Sequence, residues 1–179
     1  TIMGNIDAPA SVLEMGEAQP TARALGLEVI TLEIRRAEDI TPAFEAVKGR
    51  ADALYVCADP LVNTHRIRVN TLALAARLPT MHGLRDLVEA GGLMCNAANF
   101  PDLFRRTAGL VDKILRGVKP AEIPVEQPTK FDLVVNLTTA NTTLRLLSDT
   151  DATFASGTVT LGAFPGGSYT VDVSPLTSA

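Results

Sequence analysis

From residue 1 to about residue 116 the chain alternates two hydrophobic patterns. Short apolar runs of strand length, at 1–3, 28–34, 53–57, 79–82 and 93–96, are followed by longer stretches with apolar residues at helical spacing. Such alternation predicts βαβ units, and hence a parallel sheet flanked by helices on both faces.

Start and stop signals mark the helices. Ser11-Val12-Leu13-Glu14 fits a capping box, in which hydroxyl and carboxylate satisfy orphan amides at a helix start. Val12, Met15, Ala18, Ala22 and Leu25 then recur at helical spacing, and Gly26 suits the exit. Pro20 inside this stretch predicts a kink or one lost hydrogen bond. Asp39 or Thr41 is expected to cap a second helix, with Pro42 near its first turn and Ile40, Phe44 and Val47 on one face. A third helix is expected over 62–78, with Ile67, Thr71, Leu74, Ala75 and Leu78 inward and Arg66, Arg68 and Asn70 outward. A short helix over 84–90 should end at Gly91-Gly92. A fifth, over 101–116, should turn Leu103, Leu110, Val111 and Ile114 inward and stop at Gly117.

Then the texture changes. Residues 118–130 hold Pro120, Pro124 and Pro128 at intervals of four, which neither a helix nor a central strand tolerates, so an extended connection is expected. Residues 131–137 read as one more strand. Residues 141–179 are rich in Thr, Ser and Gly and contain neither Lys nor Glu. Within them 158–161 and 169–173 alternate with period two around Phe164-Pro165-Gly166-Gly167-Ser168, which predicts a β-hairpin tail.

Composition narrows the function classes. Aromatic residues make up 4% of the chain and Trp is absent, so the core must be built from Leu, Val, Ile and Ala. The net charge is -4, and no Lys/Arg cluster is dense enough to track a phosphate backbone, which argues against a nucleic-acid partner. No apolar run approaches the roughly 18 residues needed to span a bilayer, so no direct membrane insertion is expected. The opening Thr1-Ile2-Met3-Gly4 has no basic stretch before an apolar one and does not read as a signal peptide. Cys57 and Cys95 each end an apolar run and are expected to be buried free thiols.

Enzyme constellations are hard to find. The chain has no phosphate loop, no G-x-G-x-x-G after the first run and no G-x-S-x-G nucleophile elbow. His65 and His82 lack metal-ligand spacing, and no cofactor is implied. What remains is positional: in open parallel α/β sheets, ligands gather at the carboxyl ends of the strands. The loops there begin at Gly4-Asn5-Ile6-Asp7-Ala8, Ala58-Asp59-Pro60-Leu61, His82-Gly83-Leu84-Arg85 and Asn96-Ala97-Ala98-Asn99. Asp59 could accept from a ligand amine or hydroxyl, or simply cap a turn before Pro60. Asn5 could contact ligand or cap the first βα turn. His82 could contact ligand or be an ordinary hydrogen-bonded histidine, and Asn96 and Asn99 could be turn residues.

At these loops the chain resembles a known family. GNIDAPAS near the start, ARALGLEV at 22–29, ADALYVCADPLV at 51–62 and the continuous stretch 75–140, including Gly91-Gly92-Leu93-Met94 and the Pro-rich approach to the last strand, carry the match. They resemble the C-terminal half of the tryptophan/tyrosine-type ABC-transporter substrate-binding proteins, which have the periplasmic binding protein type I fold. The resemblance implies a flavodoxin-like lobe over residues 1–140, with a missing N-terminal lobe completing an interlobe cleft. It implies a small-molecule ligand, such as an amino acid or an aromatic or other organic acid, and a membrane ABC permease as partner. It also implies a periplasmic or lipid-anchored extracytoplasmic location. The cleft positions would be Asn5, Ala8, Asp59, Leu61, His82 and Gly83. The hinge would involve Asn96, Asn99, Phe100 and residues 118–128. After residue 140 the chain departs from the family pattern.

Two alternatives stay open on sequence alone. One is a small enzyme on the same sheet using Asp59, His82 or Cys57, which would have to converge in a closed pocket. The other is a ligand-sensing regulatory domain, which would need a DNA-binding or signalling module.

Overall fold

The computed structural model describes residues 1–139 and 171–172. Six strands and six helices account for the first stretch: β1 Ile2–Asn5, α1 Pro9–Ala24, β2 Thr31–Ile34, α2 Ile40–Val47, β3 Leu54–Val56, α3 Pro60–Thr64, α4 Arg66–Ala75, β4 Thr80–His82, α5 Arg85–Glu89, β5 Met94–Ala98, α6 Phe100–Leu115 and β6 Phe131–Val135. A two-residue β7, Val171–Asp172, joins the same sheet beside β6. The order is β2-β1-β3-β4-β5-β6-β7. The first five strands are parallel, as the βαβ pattern predicts, whereas β6 runs antiparallel to β5. The long connection through α6 and residues 116–130 allows that reversal, because it returns the chain to the end of the sheet at which β5 stops: Phe131 pairs with Ala98. The hairpin expected in the tail lies outside the described residues, apart from β7.

Side chains alternate across the strands, so each strand feeds two cores. One face carries Met3, Leu32, Ile34, Leu54 and Val56 under α2, α3, α4 and α5, which contribute Ile40, Phe44, Val47, Val62, Val69, Ala73 and Leu87. All of these are buried. The other face carries Ile2, Cys57 and Tyr55 under α1, which supplies Met15 and Ala18. Gly4 is required there: a Cβ on it would lie 2.2 Å from the Met15 sulfur and 2.8 Å from the Ser11 hydroxyl. At the amino ends of β3, β4 and β5 this second face stays open. Tyr55, Met81 and Met94 line an apolar groove of about 680 Å³ beside the second half of α1.

Several helix expectations are corrected. α1 starts at Pro9 with Ala8 as its cap, and no side chain caps it, so Ser11 and Glu14 do not form a capping box. The i, i+3 spacing that suggested the box instead turns both side chains toward the sheet. Only Ser11 and Met15 of α1 are buried; Val12 and Leu25 of the expected stripe are exposed. The third helix is split at His65 into α3 and α4, which shifts the helical phase. Val69, Asn70 and Ala73 therefore face inward, while Ile67 and Leu74 are exposed. Asn70 is held there because its amide donates to the carbonyls of Leu87 (2.7 Å) and Ala90 (3.1 Å), closing the end of α5. In α6 only Asp102 is buried, and Val111 and Ile114 of the expected inner stripe are exposed. Gly117 does terminate α6, at a φ of +97° that suits glycine.

Candidate functional site

The carboxyl ends of β1, β3, β4 and β5 lie side by side, so their following loops form one rim. Asn5 ends β1 and Asp59 follows β3, its neighbour in the sheet. The Asn5 amide donates to both Asp59 oxygens, at 3.3 and 3.2 Å. Asp59 also caps α3: its Oδ1 accepts from the backbone of Leu61 (2.7 Å) and Val62 (3.3 Å). The structural and ligand readings of Asp59 are thus compatible, because Oδ1 carries the cap and Oδ2 accepts, among the described residues, from Asn5 alone. Asn5 Oδ1 in turn accepts from the Asp7 amide at 3.0 Å, which shapes the β1–α1 turn. Ala8 sits at the end of that turn, bonded back to the Asn5 carbonyl at 3.2 Å. Leu61 is half-buried against the core below.

Beneath this rim lies a polar brace that sequence reasoning missed. The Ser11 hydroxyl accepts from the Asn5 backbone N–H at 2.9 Å. Glu14, one turn on, accepts from the Tyr55 hydroxyl at 2.5 Å and from the Ala58 amide at 3.1 Å. Helix α1 is therefore tied to the two loops that carry Asn5 and Asp59. Burial, and then Glu14's hydrogen bond and charge, push the Tyr55 phenol well above its ordinary range. Burial, and then the Glu14 charge, push the Cys57 thiol up to about 12, so it stays neutral and unreactive. Both cysteines are free and buried, as expected.

Gly83 completes the rim after β4 and lies against Ala58: a Cβ there would be 3.2 Å from the Ala58 Cβ and 3.6 Å from a Glu14 oxygen. His82 is different. It is fully buried, and its Nε2 lies 2.9 Å from the Thr80 hydroxyl, which also accepts from the Leu93 amide at 2.9 Å. The ring packs on Gly92, where a Cβ would come within 2.4 Å of Nε2. Desolvation pulls its pKa down to about 4, so it is neutral at ordinary pH. The His82 ring lies inside the fold and not at the rim: its Nε2 side holds β4 to the start of β5, while its buried Nδ1 has no hydrogen-bond partner among the described residues. Nor do Cys57, His82 and Asp59 converge. His82 pairs with Val56 in the sheet, so it shares that residue's face, and Cys57 points to the opposite one.

The three expected hinge residues occupy distinct places. Asn99 caps α6, with its Oδ1 accepting from the Asp102 amide at 2.8 Å, while its amide donates to Asp132 at 2.8 Å. Its backbone N–H also donates to the Lys130 carbonyl at 3.0 Å. One side chain thus clasps the segment leaving β5 to the segment entering β6. Lys130 adds a 2.9 Å bond to Asp102, and its ammonium holds that carboxyl below its ordinary value. Phe100 opens α6, and its ring is about half exposed. Asn96 is exposed on β5 opposite Leu133 and makes no part of the clasp. Between these segments and the β4–α5 loop lies a second concavity of about 470 Å³.

The βα loops thus form a one-sided rim, with two connections clasped together at one end of it. The family model for ABC transporter substrate binding proteins matches residues 1–150, and the chain belongs to that family. A tyrosine-binding protein of Clostridioides difficile is 22% identical over 135 residues, which cover 75% of this chain and 39% of that protein. The ligand-free, open form of a substrate binding protein with adhesive properties from Clostridium difficile matches with a TM-score of 0.66 at 25% identity. It covers 79% of this chain and 48% of the other. A Streptococcus pneumonia ABC domain solved with L-Trp superposes with a TM-score of 0.70 at 23% identity, over 78% of this chain and 48% of that one. A conserved domain protein from Vibrio cholerae gives 0.73 at 22%, over 79% and 48%. The chain thus spans about half the length of the solved relatives, and less of the curated one. These relatives are substrate-binding proteins or share their fold. Among the described residues no helix is long and apolar enough to cross a membrane.

Proposed function

We propose that this chain supplies the C-terminal lobe of a solute receptor for an ABC transporter, and that it binds without catalysing a reaction. In this reading the lobe comprises residues 1–140, and of the Thr/Ser/Gly-rich segment 141–179 the strand Val171–Asp172 pairs with its last strand. The ligand is a small organic molecule, an amino acid or an aromatic or other organic acid, enclosed between this lobe and an N-terminal one. Asn5, Ala8, Asp59, Leu61 and Gly83 form this lobe's side of the cleft. Asn99, with Asn96, Phe100 and residues 118–128 near it, marks the hinge. The loaded receptor docks on a membrane permease, on the extracytoplasmic side.

The observation that carries the reading is the braced Asn5–Asp59 pair at the carboxyl rim of the sheet. Ligands of open α/β sheets bind at this edge. The brace to α1 holds the pair in place before a ligand arrives, which lowers the ordering cost of binding. The separation of Cys57 from His82 across the sheet disfavours the enzyme alternative. The tyrosine- and tryptophan-binding relatives favour an amino acid as ligand.

Calorimetry on the full-length protein tests this directly. L-tyrosine, L-tryptophan and a panel of other amino acids and aromatic acids are titrated in turn. At least one should bind, and Asp59→Ala should weaken it about tenfold or more. No heat from any member of the panel would overturn the reading.

A further inference from the structure

Helix α6 and the open groove on the α1 face are each one half of a helix–sheet contact. At about 100° per residue, Phe104, Val111, Ile114 and Leu115 gather on one side of α6, and Arg105, Arg106, Lys113 and Arg116 gather on the other. Such an apolar side ordinarily packs on a core, yet only Asp102 of α6 is buried. Phe104 is 73% exposed and Leu115 81%. On the charged side, Arg106 pairs with Glu126 and donates to the Gln127 carbonyl and the Thr129 hydroxyl, both at 3.3 Å. The connection after α6 thus holds the charged side and leaves the apolar side bare.

The groove is the converse, an apolar sheet face without its helix. Tyr55, Met81 and Met94 line it, together with the exposed Leu25 and Leu27, and its volume of about 680 Å³ has room for several large apolar side chains. Glu14, Glu17 and Glu28 border it against one cation, the Thr1 ammonium, which donates to the Ala53 carbonyl at 3.0 Å. Glu17 and Glu28 make no ion pair among the described residues. The four cations of α6 outnumber its carboxylates, Asp102 and Asp112, so helix and groove carry opposite charge. The helix does not fill the groove of its own chain, for no residue of α6 lines it. The groove lies at the amino ends of β3, β4 and β5, whereas α6 starts at the carboxyl end of β5, where Asn99 clasps Asp132.

We propose that a second copy of this chain covers both surfaces: in a two-fold dimer, α6 of each copy lies with its apolar side in the groove of the other, and its cations meet Glu17 and Glu28 at the rim. One chain carries a helix without a groove and a groove without a helix, so a single two-fold operation satisfies both and closes the assembly. The apolar face supplies the affinity of a helix-in-groove contact, and opposite charges at its edges set the orientation. One seated helix makes a small interface, and the two-fold doubles it toward the roughly 1,200 Å² at which specific interfaces begin. A dissociation constant on the order of 10–100 µM is expected, so unfolding measured at about 1 µM reads the monomer. The inference stands apart from the receptor reading, because it uses neither the Asn5–Asp59 rim nor the second concavity.

The test is sedimentation equilibrium with amide-resolved NMR on the 179-residue chain, from about 1 µM to about 300 µM. The mean mass should rise from one chain toward two. Amides at 103–115 should shift with concentration together with those at 25–29, 80–81 and 93–94. Phe104→Asp combined with Leu115→Asp should keep the mass near one chain at the highest concentration, and so should Leu25→Asp combined with Leu27→Asp. All four side chains are exposed in the single chain, so far-UV circular dichroism should match the parent's. If one double variant loses that signature, the other carries the test. A monomer at every concentration would overturn the proposal and leave both surfaces to an N-terminal lobe. A dimer whose shifts fall elsewhere, or one that survives both double variants, would overturn it equally.

Discussion

The two faces of this sheet are built to different standards. The face under α2, α4 and α5 is closed: Ile34, Ile40 and Val56 have no exposed surface, and Phe44 and Val47 have almost none. The face under α1 is closed only over β1 and part of β3, and beyond that Tyr55, Met81 and Met94 border an open apolar groove. The contrast is one of helix coverage, since both faces are apolar in sequence. It teaches that the closed face supplies most of the burial, while α1 serves chiefly as a brace for the loops above it through Ser11 and Glu14.

The largest effect should come from cutting into the closed face. Phe44→Ala should cost about 3–5 kcal/mol, whereas Met81→Ala on the open face should cost about 1 kcal/mol or less. Urea unfolding midpoints compare the two, and equal costs would erase the distinction between the faces. Acid should act through His82, on the closed side. Its pKa is near 6.5 when unfolded and about 4 when folded, so the unfolded chain takes up the proton first. Stability should therefore fall as pH drops from about 6.5 to about 4, by roughly 3 kcal/mol, and this term should be flat below that. His82→Leu should flatten that window in a pH series of chemical denaturation. A profile identical to the parent's would show that His82 does not carry it.

Smaller effects sharpen the picture. Gly92→Ala places a Cβ against the His82 ring and the Leu87 carbonyl and should cost about 1–3 kcal/mol, read by thermal unfolding. Asp59→Ala removes the cap of α3 and should cost about 1 kcal/mol in the same assay. Leu115→Ser, on the exposed side of α6, should change stability by no more than about 0.5 kcal/mol. A larger loss there would mean that α6 is covered in solution.

Much of the layout was legible before any coordinates. All five apolar runs became parallel strands, and residues 131–137 yielded β6, two residues shorter than expected. Such runs can be read because a buried parallel strand needs apolar side chains on both faces. The loops of the rim were legible for the same reason, as they are what lies between the runs. Helix faces were harder. The break at His65 changed the phase of α4, and nothing in the periodicity of 62–78 marks it. Ser11 and Glu14 looked like a cap because spacing alone cannot distinguish bonding to the helix's own amides from bonding to a neighbouring strand. His82 looked available because a strand end looks exposed in one dimension. Asn99 and Asp132, 33 residues apart, gave no shared signal.

By itself the sequence determined the alternation of strands and helices, the stop at Gly117, the position of the rim loops and the family likeness, because each depends on local pattern or on short quoted segments. Tertiary structure alone decided the antiparallel turn of β6, the burial of His82, the brace from α1 to the Asn5–Asp59 pair and the clasp of Asn99 on Asp132. Those features arise when side chains distant in the chain compete for the same hydrogen-bonding partners and the same buried space, and that competition is settled only when the sheet has formed.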